Sequence, residues 1–188
     1  ETAQMETYRA RWLLPVTSPP IENGAIAVES GRIIQVGHVS TIIGPPTHDL
    51  GDCLLMPGLV NAHTHLELSC YLGRVAPGPL WEWFDRLMGL RRMPGADSAE
   101  RDAVLDGARL SLAAGVTCVG DISRAGVQVQ GLQSSPIRKV CFLELISGAI
   151  AHPNDAASLT AMFREASASA EPERRLIGLS PHALYTVT

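Results

Sequence analysis

The sequence predicts an α/β protein in which the first half of a (β/α)8 (TIM) barrel follows a small N-terminal β module. Three observations predict it. Up to about Asp52, short apolar runs alternate with turn residues. From Leu54 onward, continuous apolar runs alternate with amphipathic stretches, the pattern of a parallel sheet covered by helices. Polar residues of chemical use then gather at the C-terminal ends of the apolar runs, where barrels carry their sites.

The opening segment sets Ala10 to Val16, Ala25 to Val28 and Arg32 to Val36 between Pro19-Pro20 and Ser30-Gly31, which is hairpin punctuation. Gly31 falls where a tight turn needs a positive φ, and the runs around it have the Ile and Val content of paired strands. So few strands cannot bury two faces, so this module is too thin to hold a core by itself. The chain accordingly divides into an N-terminal β segment, 1–55, and a barrel portion, 56–188.

The barrel portion opens with a strand from Leu54 to His65. Leu80, Trp83, Phe84 and Leu87 then follow the i, i+3, i+4, i+7 spacing of one helical stripe, so Trp81 and Trp83 point to different sides. A second helix starts with Asp97 or Ser98 as N-cap, turns Val104, Leu105, Ala108 and Leu112 inward, and stops at Gly115. Val116 to Asp121 is the next strand, and a connection of weak helical character leads to a third, Val140 to Ile146. Asn154 caps a helix with Leu159, Met162, Phe163 and Ala166 inward, and Leu176 to Leu179 is the last strand. Four strands are half a barrel. A doubly wound sheet would carry a glycine-rich turn after its first strand, and Asn61-Ala62-His63-Thr64 is no such turn.

Composition narrows the function. With 46% apolar and 18% charged residues and a net charge of -4, the chain has no run of Lys or Arg to track a phosphate backbone. Nucleic acid and membrane surfaces are not expected as partners. Cys53, Cys70, Cys118 and Cys141 lie far apart with no C-x-x-C pair, and are read as buried thiols in a reducing cytoplasm. No stretch reaches the roughly 20 apolar residues of a membrane span, and Glu1 to Arg11 is polar, unlike a signal sequence.

His63-Thr64-His65 closes the first apolar strand. Side chains two apart on a strand share a face, so two imidazoles can converge on one ion or, alternatively, each bond to nearby backbone. Imidazole nitrogen suits zinc, iron and related divalent metals, and catalytic sites add ligands from elsewhere while keeping a position for water.

The run Met56-Pro57-Gly58-Leu59-Val60-Asn61-Ala62-His63-Thr64-His65-Leu66-Glu67 closely resembles the first-strand signature of the amidohydrolase superfamily. Three further segments resemble that family in order. Tyr8 to Gly37 is similar to its N-terminal β segment, part of a composite β-sandwich; Gly115 to Asp121 to its second strand; Leu179 to Val187 to its fourth, with Leu184 standing where the family has proline. The similarity is greatest to the cytosine-deaminase-like branch, with its chlorohydrolases and its purine-ring or aminofutalosine-type deaminases.

The resemblance implies that His63 and His65 are metal ligands and that His182 contacts a small-molecule substrate. It implies a divalent metal, zinc first and iron as the other candidate. It also implies further ligands and the catalytic proton shuttle beyond Thr188, since the chain stops just past the fourth strand. The reaction implied is hydrolytic deamination of an aminated purine- or pyrimidine-type ring. Chlorohydrolase or cyclic-amidohydrolase chemistry on the same fold, or an inactive truncated fragment, are the alternatives.

Glu67 shares the side of His65 if the strand continues. It binds substrate or orients an imidazole in one reading, and is a solvated loop residue in the other. His65-Leu66-Glu67 also matches the H-x-E of small zinc deaminases, but no P-C-x-x-C follows. Asp121 supports neighbouring groups or a histidine from the end of its strand. Glu144, inside an apolar strand, must either line the lumen near substrate or have an Arg partner, because an unpaired buried carboxylate is too costly. His38, His48 and His152 lie among turn residues and are expected in solvent. A half barrel exposes two sheet edges, so self-association as a homo-oligomer, a dimer, is expected.

Overall fold

A computed structural model describes residues 5–123, 135–145, 160–161, 164 and 175–183. The chain divides into two compact units, Glu1–Pro57 and Gly58–Thr188.

The first unit is a sheet of β1 (Glu6–Leu13), β2 (Ile21–Glu29), β3 (Arg32–His38), β4 (His48–Asp49) and β5 (Leu54–Leu55). Its order is β3-β2-β1-β4, with β5 also on β1; the long strands pair antiparallel, and β4 and β5 add parallel to β1. The β2–β3 turn carries φ 51° at Ser30 and 72° at Gly31. Two successive positive φ values match the right-handed twist of the strands they join. Ala25, Ala27 and Ile42 form a small core, with Met5 and Val39 packed against it. His38 and His48 are exposed, as expected, though His48 stacks on Tyr8 with centroids 4.5 Å apart.

The apolar run from Leu54 to His65 is not one strand. Leu54–Leu55 pairs with β1, and β6 (Leu59–Thr64) opens the second unit. Between them Pro57 has no N–H to give to a ladder, which breaks a run that apolar content alone joins.

The second unit continues with a 3-10 helix (Leu66–Tyr71), α1 (Leu80–Arg91), α2 (Ala96–Ala113), β7 (Val116–Ser123), β8 (Arg138–Leu145) and β9 (Arg175–Pro181). Its sheet runs β6-β7-β8-β9 with every pairing parallel. The protein is thus mixed α/β. The inner face of α2, Val104 and Ala108, packs with Leu66, Val119, Ile137, Cys141 and Leu143 as the core.

Helix α2 begins earlier than Asp97 or Ser98 would cap it. Gly95, at φ 82°, is the N-cap and makes no side-chain cap bond; Asp97 becomes a first-turn acid, favourable at a helix N-terminus. Its end matches expectation, with Ala114 as C-cap and Gly115 at φ 82°. Helix α1 buries less of its stripe than the spacing implies. Leu87 is buried and Trp83 and Phe84 are half-buried, but Leu80 and Trp81 are each 69% exposed.

The cysteines also differ from expectation: all are free, but Cys53 is exposed, Cys70 and Cys118 are half-buried, and Cys141 alone is buried. Apolar neighbours in sequence do not bury a thiol by themselves: Cys53 lies at a bend, Cys70 in the 3-10 helix, and Cys118 in the first, unburied residues of β7. No helix among the described residues is long and apolar enough to cross a membrane. Thr160, Ala161 and Arg164 are helical. The predicted cap Asn154, the inward residues Leu159, Met162, Phe163 and Ala166, the 124–134 part of the connection, Ile146, His152 and Leu184 lie outside the described residues.

Candidate metal centre

Strand β6 ends at Thr64, and His65 is the N-cap residue of the 3-10 helix, with φ -126° and ψ 84°. That extended φ keeps the alternation going for one more residue. The His63 and His65 rings come together edge-on, with centroids 5.5 Å apart and planes at 68°. His63 is exposed and the His65 side chain is 26% exposed, so the pair sits at a solvent boundary.

Behind the imidazoles lies a buried wall of carboxylates. Glu67 Oε1 is 3.5 Å from His65 Nδ1, within ion-pairing reach but outside good hydrogen-bond geometry. The Glu67 side chain is only 1% exposed, which rules out its reading as a solvated loop residue. Asp121, also fully buried, accepts the Leu66 N–H at 2.9 Å through Oδ1 and so fixes the chain just after His65. Burial pushes the Asp121 carboxyl up to about 7 from its ordinary 3.8, with the Leu66 N–H bond opposing. Burial alone would lower the proton affinity of His65. Glu67 outweighs it, helped by Glu144 and Asp121, and the imidazole is raised from its ordinary value.

His65 Nδ1, Glu67 Oε2 and Asp121 Oδ2 are buried without hydrogen-bond partners. A buried group left unpaired is costly, so the two unpaired acidic oxygens beside His65 favour positive charge there. The residues therefore fit a divalent cation. Among the described residues no three His, Cys, Asp or Glu side chains converge on one point as metal ligands.

Glu144 lies on β8, where Cys141 and Leu143 pack into the helix-covered core. Strand alternation puts Glu144 on the opposite face, with Phe142, and its charge is felt at His65. His182 follows β9, at the opposite edge of the sheet from β6, and its N–H donates to Leu145 O at 3.0 Å. The structure thus gathers His63, His65, Glu67 and Asp121 in one place, brings Glu144 within electrostatic range, and sets His182 on the far edge.

Sequence reasoning missed the groups that anchor Glu67. Arg91 Nη2 reaches Glu67 Oε1 at 3.4 Å, and the same guanidinium grips Glu100 through Nε to Oε1 at 2.9 Å and Nη2 to Oε2 at 3.0 Å. Tyr71 donates its hydroxyl to Glu100 Oε1 at 2.8 Å, and burial followed by that bond pushes the phenol above its ordinary value. A signal was present. Arg91 lies four residues after the inward Leu87 and Glu100 four before the inward Val104, so each is a charge on a buried helix stripe.

The second unit is an α/β unit whose first strand leads into adjacent imidazoles backed by buried carboxylates, and the comparisons give its family. Residues 54–180 match the amidohydrolase family pattern, and the chain belongs to that family. It is 29% identical over 184 residues to 5-methylthioadenosine/S-adenosylhomocysteine deaminase of Nitratidesulfovibrio vulgaris, covering 89% of this chain and 39% of the relative. Among solved structures, aminofutalosine deaminase of Helicobacter pylori, in complex with methylthio-coformycin, superposes with a TM-score of 0.75 at 24% identity. That match covers 97% of this chain and 45% of the other. An adenosine deaminase from Xanthomonas campestris with bound zinc gives a TM-score of 0.76 at 24% identity, covering 97% and 44%. The chain therefore spans about two fifths of the length of the curated relatives it matches.

Proposed function

We propose that this chain supplies the first metal ligands of a hydrolytic deaminase acting on an aminated purine- or pyrimidine-type ring of a small molecule. The observation that carries it is the facing of His63 and His65 at 5.5 Å in front of Glu67. The deaminase names of the relatives support the choice of bond. The four parallel strands in the order β6-β7-β8-β9 support the first half of a (β/α)8 barrel, and the N-terminal sheet supports part of a β-sandwich. The segments 1–55 and 56–188 are then the two domains' shares of this chain.

In this reading His63 and His65 hold a divalent metal, zinc rather than iron on the strength of the zinc-bound relative. Such an ion, when bound, lowers the pKa of water from about 15.7 toward about 7. Glu67 orients the His65 ring through Nδ1 and leaves its other nitrogen to the site. Asp121 fixes the backbone between the imidazole and the 3-10 helix. Glu144, on the face away from the helices, and His182 at the end of β9 contact the substrate. Two imidazoles alone do not complete a catalytic metal site, so further ligands and a proton shuttle complete it in this reading. Free cysteines support a cytoplasmic location, and apolar side chains left exposed, such as Leu72 at 77%, support a homodimer. No partnership with nucleic acid or membranes is proposed.

The test uses the full-length protein. Zinc content is measured on wild type and on His63→Asn and His65→Asn, with ammonia release followed on adenosine-, guanine- and cytosine-type substrates before and after chelation. About one zinc per chain, lost in both variants, and ammonia release that chelation abolishes and zinc restores are expected. A folded wild type that binds no metal and releases no ammonia refutes the reading. Release of chloride or of a new carboxylate in place of ammonia moves the activity to another bond.

A further inference from the structure

We infer that Arg91 is a positioning residue for the metal centre: clamped by Glu100 and Tyr71, its guanidinium holds Glu67 where Glu67 sets the orientation of His65. The inference rests on the reading above that His63 and His65 hold a divalent ion.

One oxygen carries the argument. Glu67 Oε1 is 3.5 Å from His65 Nδ1 and 3.4 Å from Arg91 Nη2, so it bridges the imidazole and the guanidinium. Movement of Arg91 moves the group that His65 faces. Arg91 itself has little freedom. Its two bonds to Glu100, at 2.9 and 3.0 Å, are the bidentate fork that fixes a guanidinium plane, and Tyr71 fixes Glu100 in turn. The network joins three elements: the 3-10 helix through Glu67 and Tyr71, the last residue of α1, and the second turn of α2.

Burial makes the network hard to explain as simple cement. The side chains of Glu67, Glu100 and Arg91 are 1%, 5% and 9% exposed. Buried ion pairs gain little over well-packed apolar groups of the same volume, so stability alone does not call for them. Orientation of a metal-binding imidazole by a carboxylate on its other nitrogen is worth about 10–100-fold in metal affinity. The structure extends that shell outward by one residue, to Arg91.

The experiment measures zinc affinity of the full-length protein by competition with a chromophoric chelator, the absorption spectrum of the cobalt-substituted protein, and the melting point without metal. Arg91→Met, close in shape but uncharged, should bind zinc about 10–100-fold more weakly and shift the cobalt bands. Combining it with Glu67→Gln should add little to Glu67→Gln alone, since both break one path. Tyr71→Phe removes one outer hydrogen bond and should weaken zinc several-fold, and it decides the matter if Arg91→Met does not fold. A lower melting point with unchanged zinc affinity and cobalt spectrum, or fully additive losses in the double variant, overturns the positioning role alone. A wild type that binds neither zinc nor cobalt overturns it together with the metal reading.

Discussion

Gly107, on the buried side of α2, tests how tightly the metal site is tied to the helix behind it. Replacing a helical glycine by alanine on an open face stabilises by about 1 kcal/mol. Here an added methyl would stand 2.6 Å from Ser69 Oγ, 2.7 Å from Leu66 O and 3.2 Å from Leu66 Cα. The serine hydroxyl can rotate away. The Leu66 backbone cannot, because its N–H is held by Asp121 at 2.9 Å. Overpacking of this kind costs about 1–3 kcal/mol, so the helix gain is outweighed and Gly107→Ala should destabilise by up to about 2 kcal/mol. The displaced residue directly follows His65, so zinc affinity should fall with stability. Gly89→Ala on α1, where an added methyl meets nothing within 4 Å, should gain the propensity term instead. Urea unfolding of both variants in the full-length protein, with zinc competition, measures the two effects. If Gly107→Ala is as stabilising as Gly89→Ala and binds zinc like wild type, the argument from close approach is wrong.

Val104→Ala should cost about 2 kcal/mol in the same unfolding assay, because Val104 is fully buried in the core of the second unit. Trp81→Ala should change stability by no more than about 0.5 kcal/mol, since that ring is 69% exposed. Asp121 predicts a pH effect in metal-free protein. Its carboxyl titrates at about 7 folded against 3.8 ordinarily, so between those values the native state holds a proton that the unfolded chain has released. Its contribution to stability therefore falls as pH rises through that window, by up to about 1.4 kcal/mol per pH unit, and is level above and below it. Asp121→Asn should reduce that slope in unfolding curves taken from pH 4 to 8, most clearly below pH 6.5, where His65 does not contribute. An unchanged slope would place the proton elsewhere.

Much of the second unit was legible because burial on one side leaves a period in the sequence. Val104 and Ala108 face inward at helical spacing, and Gly115 ends α2 because only a residue tolerant of positive φ suits that corner. The facing of His63 and His65 was legible for the same reason, a period of two on a strand. What failed were features set by partners distant in sequence. Leu54 and Leu55 read as part of the β6 run, yet their partners are Trp12 and Leu13 on β1. The burial of Glu67 depends on Arg91, 24 positions away, and the backbone after His65 on Asp121, 55 positions away. No local pattern encodes such distances. A charge on an apolar helix stripe does encode that some partner must exist, because an isolated buried charge is too costly to survive folding. Arg91 and Glu100 both carried that mark. The sequence of a site of this kind is therefore best read twice, once for residues that can bind and once for charges placed where solvent is absent, since the second set fixes the geometry of the first.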